Sequence, residues 1–188
     1  MNILRALSLL LLATFTLSAQ PPALVHLGQP WPDADGKLIQ AHGGGITRVG
    51  DTFYWFGEDR SQDIAPGTRC VACYASTDLI HWTFRNRVIK MTAPENLDPR
   101  WVLERPKVYY NSTTKKFVMY MHIDSGNYAF AHCGIATCDT IDGNYTYLRS
   151  FRPLGKESRD IGQFVDDDGT AYLLFESRPT GGFYIARQ

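Results

Sequence analysis

Three times along this chain a short polar corner opens into an apolar and aromatic run, and that recurrence most limits what the sequence can fold into. The corners are Ala41, His42 and Gly43 ahead of the run Phe53 to Phe56, Glu104 and Arg105 in the stretch Leu103 to Asn111, and Arg159 and Asp160 ahead of the run Ala171 to Phe175. Pro106 stiffens the middle corner, and the residues after it are rich in strand formers. Anchored on Tyr54, Tyr120 and Tyr172, the unit repeats every roughly 50 to 65 residues, within reach of a propeller blade.

Within each unit the pattern is strand and turn. The first predicts strands at Ile46 to Val49, Thr52 to Phe56, Cys70 to Ala75 and Thr83 to Phe84, with Gly50-Asp51 as a hairpin turn. The second predicts strands at Lys107 to Tyr110, Phe117 to His122, Gly134 to Thr137 and Tyr145 to Leu148. The third predicts Ile161 to Val165, a turn at Asp166 to Gly169, a strand at Thr170 to Glu176 and another at Phe183 to Ala186. No run has sustained helical periodicity. The expected class is all-β: a β-propeller of which the chain covers about two and a half blades. A compact sandwich of about ten strands is the alternative.

Residues 1–20 read as a secretory signal, with Arg5 as the positive region, Leu7 to Leu17 as the apolar core, and Ser18 and Ala19 at a cleavage site. The apolar run is shorter than the roughly 20 residues that span a bilayer, so no membrane anchor is expected once the signal is removed. Residues 21–188 then form one domain. Nineteen basic residues balance nineteen acidic ones, which argues against nucleic acid or an anionic membrane as partner. Ten Tyr, ten Phe and four Trp suit a sheet core or a surface on which sugar rings stack. In a secreted chain, Cys70, Cys73, Cys133 and Cys138 favour disulfides over zinc, with the pairing open. Asn111-Ser112-Thr113 and Asn144-Tyr145-Thr146 match the N-glycosylation acceptor at expected surface turns.

The chemistry rests on carboxylates. Glu58, Glu104 and Asp160 fall at equivalent ends of successive units, so three acids are expected to converge on one cleft, the apparatus of glycoside hydrolysis. Arg105 or Arg159 would hold a neighbour ionised. The competing reading makes Glu104 with Arg105, and Asp160 with Arg159, local ion pairs of little consequence. His42 beside three glycines allows a ligand close to backbone, but Gly43 to Gly45 lacks the lysine and helix of a phosphate loop. Asp166-Asp167-Asp168-Gly169 reads as a turn, since no glutamate follows at calcium-loop spacing. Tyr128, Trp55, Trp82 and Trp101 are candidates to stack on sugar, each tryptophan taken singly being more often core.

The segments Gln40 to Ile46, Tyr54 to Asp59, Glu104 to Val108, Ser158 to Gly162 and Asp166 to Leu174 resemble glycoside hydrolase family 43, and within it the exo-β-1,3-galactanase group. The resemblance implies a five-bladed β-propeller and an inverting exo-acting hydrolase that releases galactose from β-1,3-galactan or arabinogalactan, without a cofactor or metal. It implies that Asp160 tunes the catalytic acid and holds the sugar. It implies that Glu104, with Glu58 and Tyr128, falls at sugar-binding positions, to which the reading of the corners adds His42 and Arg105 as further expected substrate-binding residues. Where the wider family carries a base aspartate this chain has Ala41-His42-Gly43. The galactanase group is similar in lacking it and is thought to use a glutamine from a later blade. The family's general acid belongs to a fourth blade and the substitute base to a fifth, whereas Gln188 falls in the third. Glu157 and Glu176 do not take the acid's place. The expectation is therefore the amino-terminal part of a longer secreted enzyme or a truncated gene model, with a noncatalytic galactan-binding module as the alternative.

Overall fold

The structure, a computed structural model, describes residues 28–179 and 181–188, so the expected signal at 1–20 lies outside the described residues. Alternating apolar side chains set up three antiparallel sheets. The first runs β1 (His42–Val49), β2 (Thr52–Asp59), β3 (Arg69–Ser76) and β4 (Thr83–Met91), each hydrogen-bonded to the next. The second repeats that order with β5 (Val102–Asn111), β6 (Lys116–Asp124), β7 (His132–Cys138) and β8 (Thr146–Phe151). The third holds β9 (Ile161–Val165), β10 (Ala171–Ser177) and β11 (Gly182–Arg187). Among the described residues the only helical turn is a short 3-10 turn at Pro153–Gly155, and no helix is long and apolar enough to cross a membrane.

The first strands of successive sheets are neighbours, β1 beside β5 and β5 beside β9, so they line a common axis and the sheets radiate from it as propeller blades. Strand periodicity decides what each blade buries. Met119, Met121 and Ile123 of β6 face the first sheet and join Phe56, Val71, Cys73, Val88 and Leu103 in one core. Val118 and Tyr120, offset by one, face the third sheet and join Ile161, Leu173 and Phe175. A sandwich would have two packed layers, and here three sheets stack face to face in sequence. Tyr54, Tyr120 and Tyr172 each lie on the second strand of their sheet, which is why they mark the repeat.

Three expectations need correction. The inner strands begin earlier than predicted, at His42 and Val102, so the polar corners lie inside the ladder. Each is accommodated by a β-bulge. Gly43 and Gly44 oppose one residue of β2, and Arg105 and Pro106 oppose one residue of β6. Ahead of β9, Arg159 and Asp160 likewise share one partner, Glu176.

The four thiols are free, in place of the expected disulfides. Cys70 and Cys73 stand three apart on β3 and Cys133 and Cys138 five apart on β7, so within each pair the side chains leave opposite faces and cannot meet. The tryptophans are core rather than sugar platforms. Trp82 and Trp101 are buried, and Trp55 packs between Trp31 and Trp82 on the outer face of the first sheet. The Asp166 to Gly169 segment is the turn expected of it, closed by the Asp166 and Thr170 backbones between β9 and β10. Asn111 ends β5 and Asn144 lies in the segment between β7 and β8, where the amide of Asn86 donates to its side chain.

Candidate active site

The site lies where β1, β5 and β9 begin. His42 opens β1 and pairs with Glu58, so antiparallel pairing returns Glu58, near the far end of β2, to the mouth of the axis. His42 Nδ1 lies 3.1 Å from Glu58 Oε2, and Arg60 Nε donates to the same oxygen at 2.8 Å. Arg60 Nη2, also 2.8 Å from Glu58 Oε2, lies 3.8 Å from Glu104 Oε1, joining the acids of the first and second sheets through one cation.

Glu104, near the start of β5, is the best-supported carboxylate. The Tyr128 hydroxyl donates to its Oε1 at 3.1 Å, and His122 Nδ1 faces its Oε2 at 3.5 Å. The bond with His122 leads in drawing its pKa below the usual glutamate range, and it prevails with Tyr128 and Arg60 over a partial burial that acts the other way. Glu104 is therefore an ionised hydrogen-bond acceptor. His122, fully buried, is pulled down by burial, but the carboxylates of Asp124 and Glu104 more than reverse this and raise its pKa above the usual histidine range.

Asp160 does not join the Arg60 cluster directly. Its Oδ1 forms an ion pair with Arg105 Nε at 2.7 Å, and both side chains are about half exposed at 54% and 40%. Arg159 instead turns inward, donating to the Tyr128 carbonyl at 2.7 Å and pairing with Glu157. Glu104 with Arg105 and Asp160 with Arg159 are thus not the pairs formed: Glu104 meets Arg60 from beyond β2, Arg105 and Asp160 meet each other, and Arg159 pairs with Glu157 two residues before it. Arg105 and Tyr128 both hold left-handed backbone, at φ 53° and 60°, which for residues with side chains requires the surroundings to enforce it. Of the six expected site residues, His42, Glu58, Glu104 and Tyr128 form one contact network. Arg105 and Asp160 form a pair beside it.

Three residues of the site escaped the sequence reading. Arg60 was announced only by standing two residues beyond Glu58. His122 and Asp124 had a clearer signal, two polar residues on one face of an otherwise apolar strand. Among the described residues no cluster of His, Cys, Asp or Glu is arranged to hold a metal ion.

Comparison with known proteins bears on this arrangement. The model of glycosyl hydrolases family 43 matches residues 41–187. A comparison with curated proteins returned no match. Among solved structures the chain is similar to an exo-β-1,3-galactanase from Phanerochaete chrysosporium, seen with β-1,3-galactotriose and with galactose. The identity is 45% and the TM-score 0.76, over 85% of this chain and 38% of that one. An exo-β-1,3-galactanase from Clostridium thermocellum is 37% identical with a TM-score of 0.74, over 85% of this chain and 37% of that one. A family 43 β-1,3-galactosidase seen with galactodeoxynojirimycin is 31% identical with a TM-score of 0.74, over 85% and 61%. The chain therefore spans less than two thirds of the length of each of these three.

Proposed function

The chain belongs to glycosyl hydrolase family 43, and from that premise we propose that it holds the terminal galactose of a β-1,3-galactan for hydrolytic release. The observation that carries this reading is Glu104, kept ionised at the mouth of the axis by His122, Tyr128 and Arg60. A carboxylate so held accepts hydrogen bonds from sugar hydroxyls and does not donate a proton to a leaving oxygen. Glu58 and His42 extend the acceptor surface, the Tyr128 ring offers an apolar edge, and Asp160, oriented by Arg105, is assigned to tuning the acid and gripping the same sugar. Its 45% identity to a protein seen with β-1,3-galactotriose supports a galactan as ligand.

In this reading cleavage is exo-acting and inverting, and the proton donor and the base come from sheets other than the three described. Secretion is part of the proposal, supported by the leader-like sequence at 1–20 and the two glycosylation acceptors. Titrating galactose into the chain by calorimetry tests the binding half. Glu104→Gln is expected to weaken affinity by more than about tenfold, the scale of one hydrogen bond to a charged group. Unchanged affinity would refute the role given to Glu104. Galactose released from β-1,3-galactan would refute the assignment of acid and base elsewhere. Binding without release, which an ionised and fully partnered Glu104 favours, is equally the signature of a noncatalytic galactan-binding module.

A further inference from the structure

Behind Glu104 lies a carboxylate that no sugar can touch. Asp124, at the end of β6, is fully buried, as is His122 two residues before it. Asp124 Oδ1 accepts backbone N–H bonds from Ser125, Phe130 and Ala131, each at 2.8 Å. Its Oδ2 meets His122 Nε2 at 2.8 Å. Burial would raise its pKa, but these donors together hold it below the usual aspartate range.

Each of the two bonding arms of Asp124 ends on Glu104. The three backbone bonds wind residues 125–131 into a tight loop, and from that loop Tyr128 sends its hydroxyl to Glu104 Oε1. The bond to His122 turns the imidazole so that Nδ1, buried and without a hydrogen bond among the described residues, faces Glu104 Oε2 at 3.5 Å. We propose that Asp124 is the positioning residue of the sugar site, fixing through the Tyr128 loop and through His122 which lone pairs Glu104 presents to a ligand. This rests on Glu104 being the sugar-holding carboxylate.

The groups facing His122 are the carboxylates of Asp124 and Glu104 and the Tyr128 ring, with centroids 6.0 Å apart, while Cys133 is its partner on β7. Arg60 faces Glu104 from the first sheet. Asp124→Asn keeps an oxygen for the backbone donors and removes the negative charge 2.8 Å from His122 Nε2 that favours a proton on the ring. The Glu104 carboxyl, followed by carbon NMR, is then expected to titrate about one pH unit higher, the scale of losing one nearby opposite charge. Galactose affinity of the variant is expected to fall by up to about threefold more between pH 7 and pH 5 than that of the wild type, the loss of ionised Glu104 at pH 5 that a one-unit rise allows. A purely structural role would lower affinity equally at both pH values and leave the titration where it was, and that result would overturn the proposal. His122→Gln, which keeps Asp124 and its loop, carries the same titration test should Asp124→Asn fail to fold. If the wild-type chain binds no galactose, the sugar reading fails, and the Glu104 titration alone decides whether Asp124 positions it.

Discussion

Replacing Lys107 by methionine separates two opposing forces at the axis. The Lys107 ammonium sits between the two bulges and donates to the carbonyls of Gly43 at 3.1 Å and of Arg105 and Pro106 at 3.3 Å, groups that the bulges have released from the ladder. Burial, with repulsion from Arg105, pushes its pKa down from 10.5 to about 8 despite the pull of Asp160. That difference of about 2.5 units corresponds to about 3.4 kcal/mol of strain on the charged form at neutral pH. Against it stand three carbonyls, each costing about 1–3 kcal/mol when left without a donor. The carbonyls prevail over most of that range, so Lys107→Met is expected to destabilise at pH 7 by up to about 5 kcal/mol.

The pH dependence is the sharper test. Between pH 8 and 10.5 the unfolded chain still holds a proton that the folded chain has released, so this group makes stability rise with pH. Linkage gives about 2.5 kcal/mol of extra wild-type stability at pH 10 relative to pH 7, and methionine cannot supply it. Urea unfolding of both proteins at the two pH values cancels every other titrating group. A gap that stays constant would show that the ammonium carries no burden in the fold and would refute the reasoning.

Two further outcomes follow from packing. A Cβ at Gly57 would lie 2.1 Å from the Ala41 backbone, beside the corner that presents His42, so Gly57→Ala is expected to cost more than about 3 kcal/mol by urea unfolding and to lose galactose binding with it. Cys73 and Cys133 are buried and burial raises both thiols far above their usual range, whereas Cys138 is partly exposed. Iodoacetamide at pH 8 without reductant is expected to label Cys138 first and the other thiols only in urea, as read by peptide mass. Failure to label any of them in urea would instead reveal disulfides.

The fold was legible because its signals are periodic. Tyr54, Tyr120 and Tyr172 mark second strands, and Gly50-Asp51 and Asp166 to Gly169 turn where turn chemistry says they should. The bulges were not legible. A residue before proline is ordinarily driven to extended backbone, and Arg105 before Pro106 takes φ 53° instead, held there by contacts from other sheets. The disulfide expectation failed for a related reason. It rested on compartment and spacing, while the odd separation of Cys70 from Cys73 and of Cys133 from Cys138 along single strands places each pair on opposite faces.

The bulge also bears on why the local ion-pair reading fails at the central corner. Arg105 stands in the bulge opposite β6 with left-handed backbone, which interrupts the strand's alternation, and Glu104 and Arg105, adjacent in sequence, find different partners. Glu104 faces the first sheet and meets Arg60, and Arg105 faces the third and meets Asp160. One corner of β5 thereby contacts both neighbouring sheets, which neither of the flanking corners does among the described residues. Opposite charges side by side in the chain are therefore best read as two links of a ring rather than as one pair. Glu104 is likewise the acid on which groups of two sheets meet, its oxygens facing Arg60 from beyond β2, Tyr128 from the loop after β6 and His122 from β6 itself.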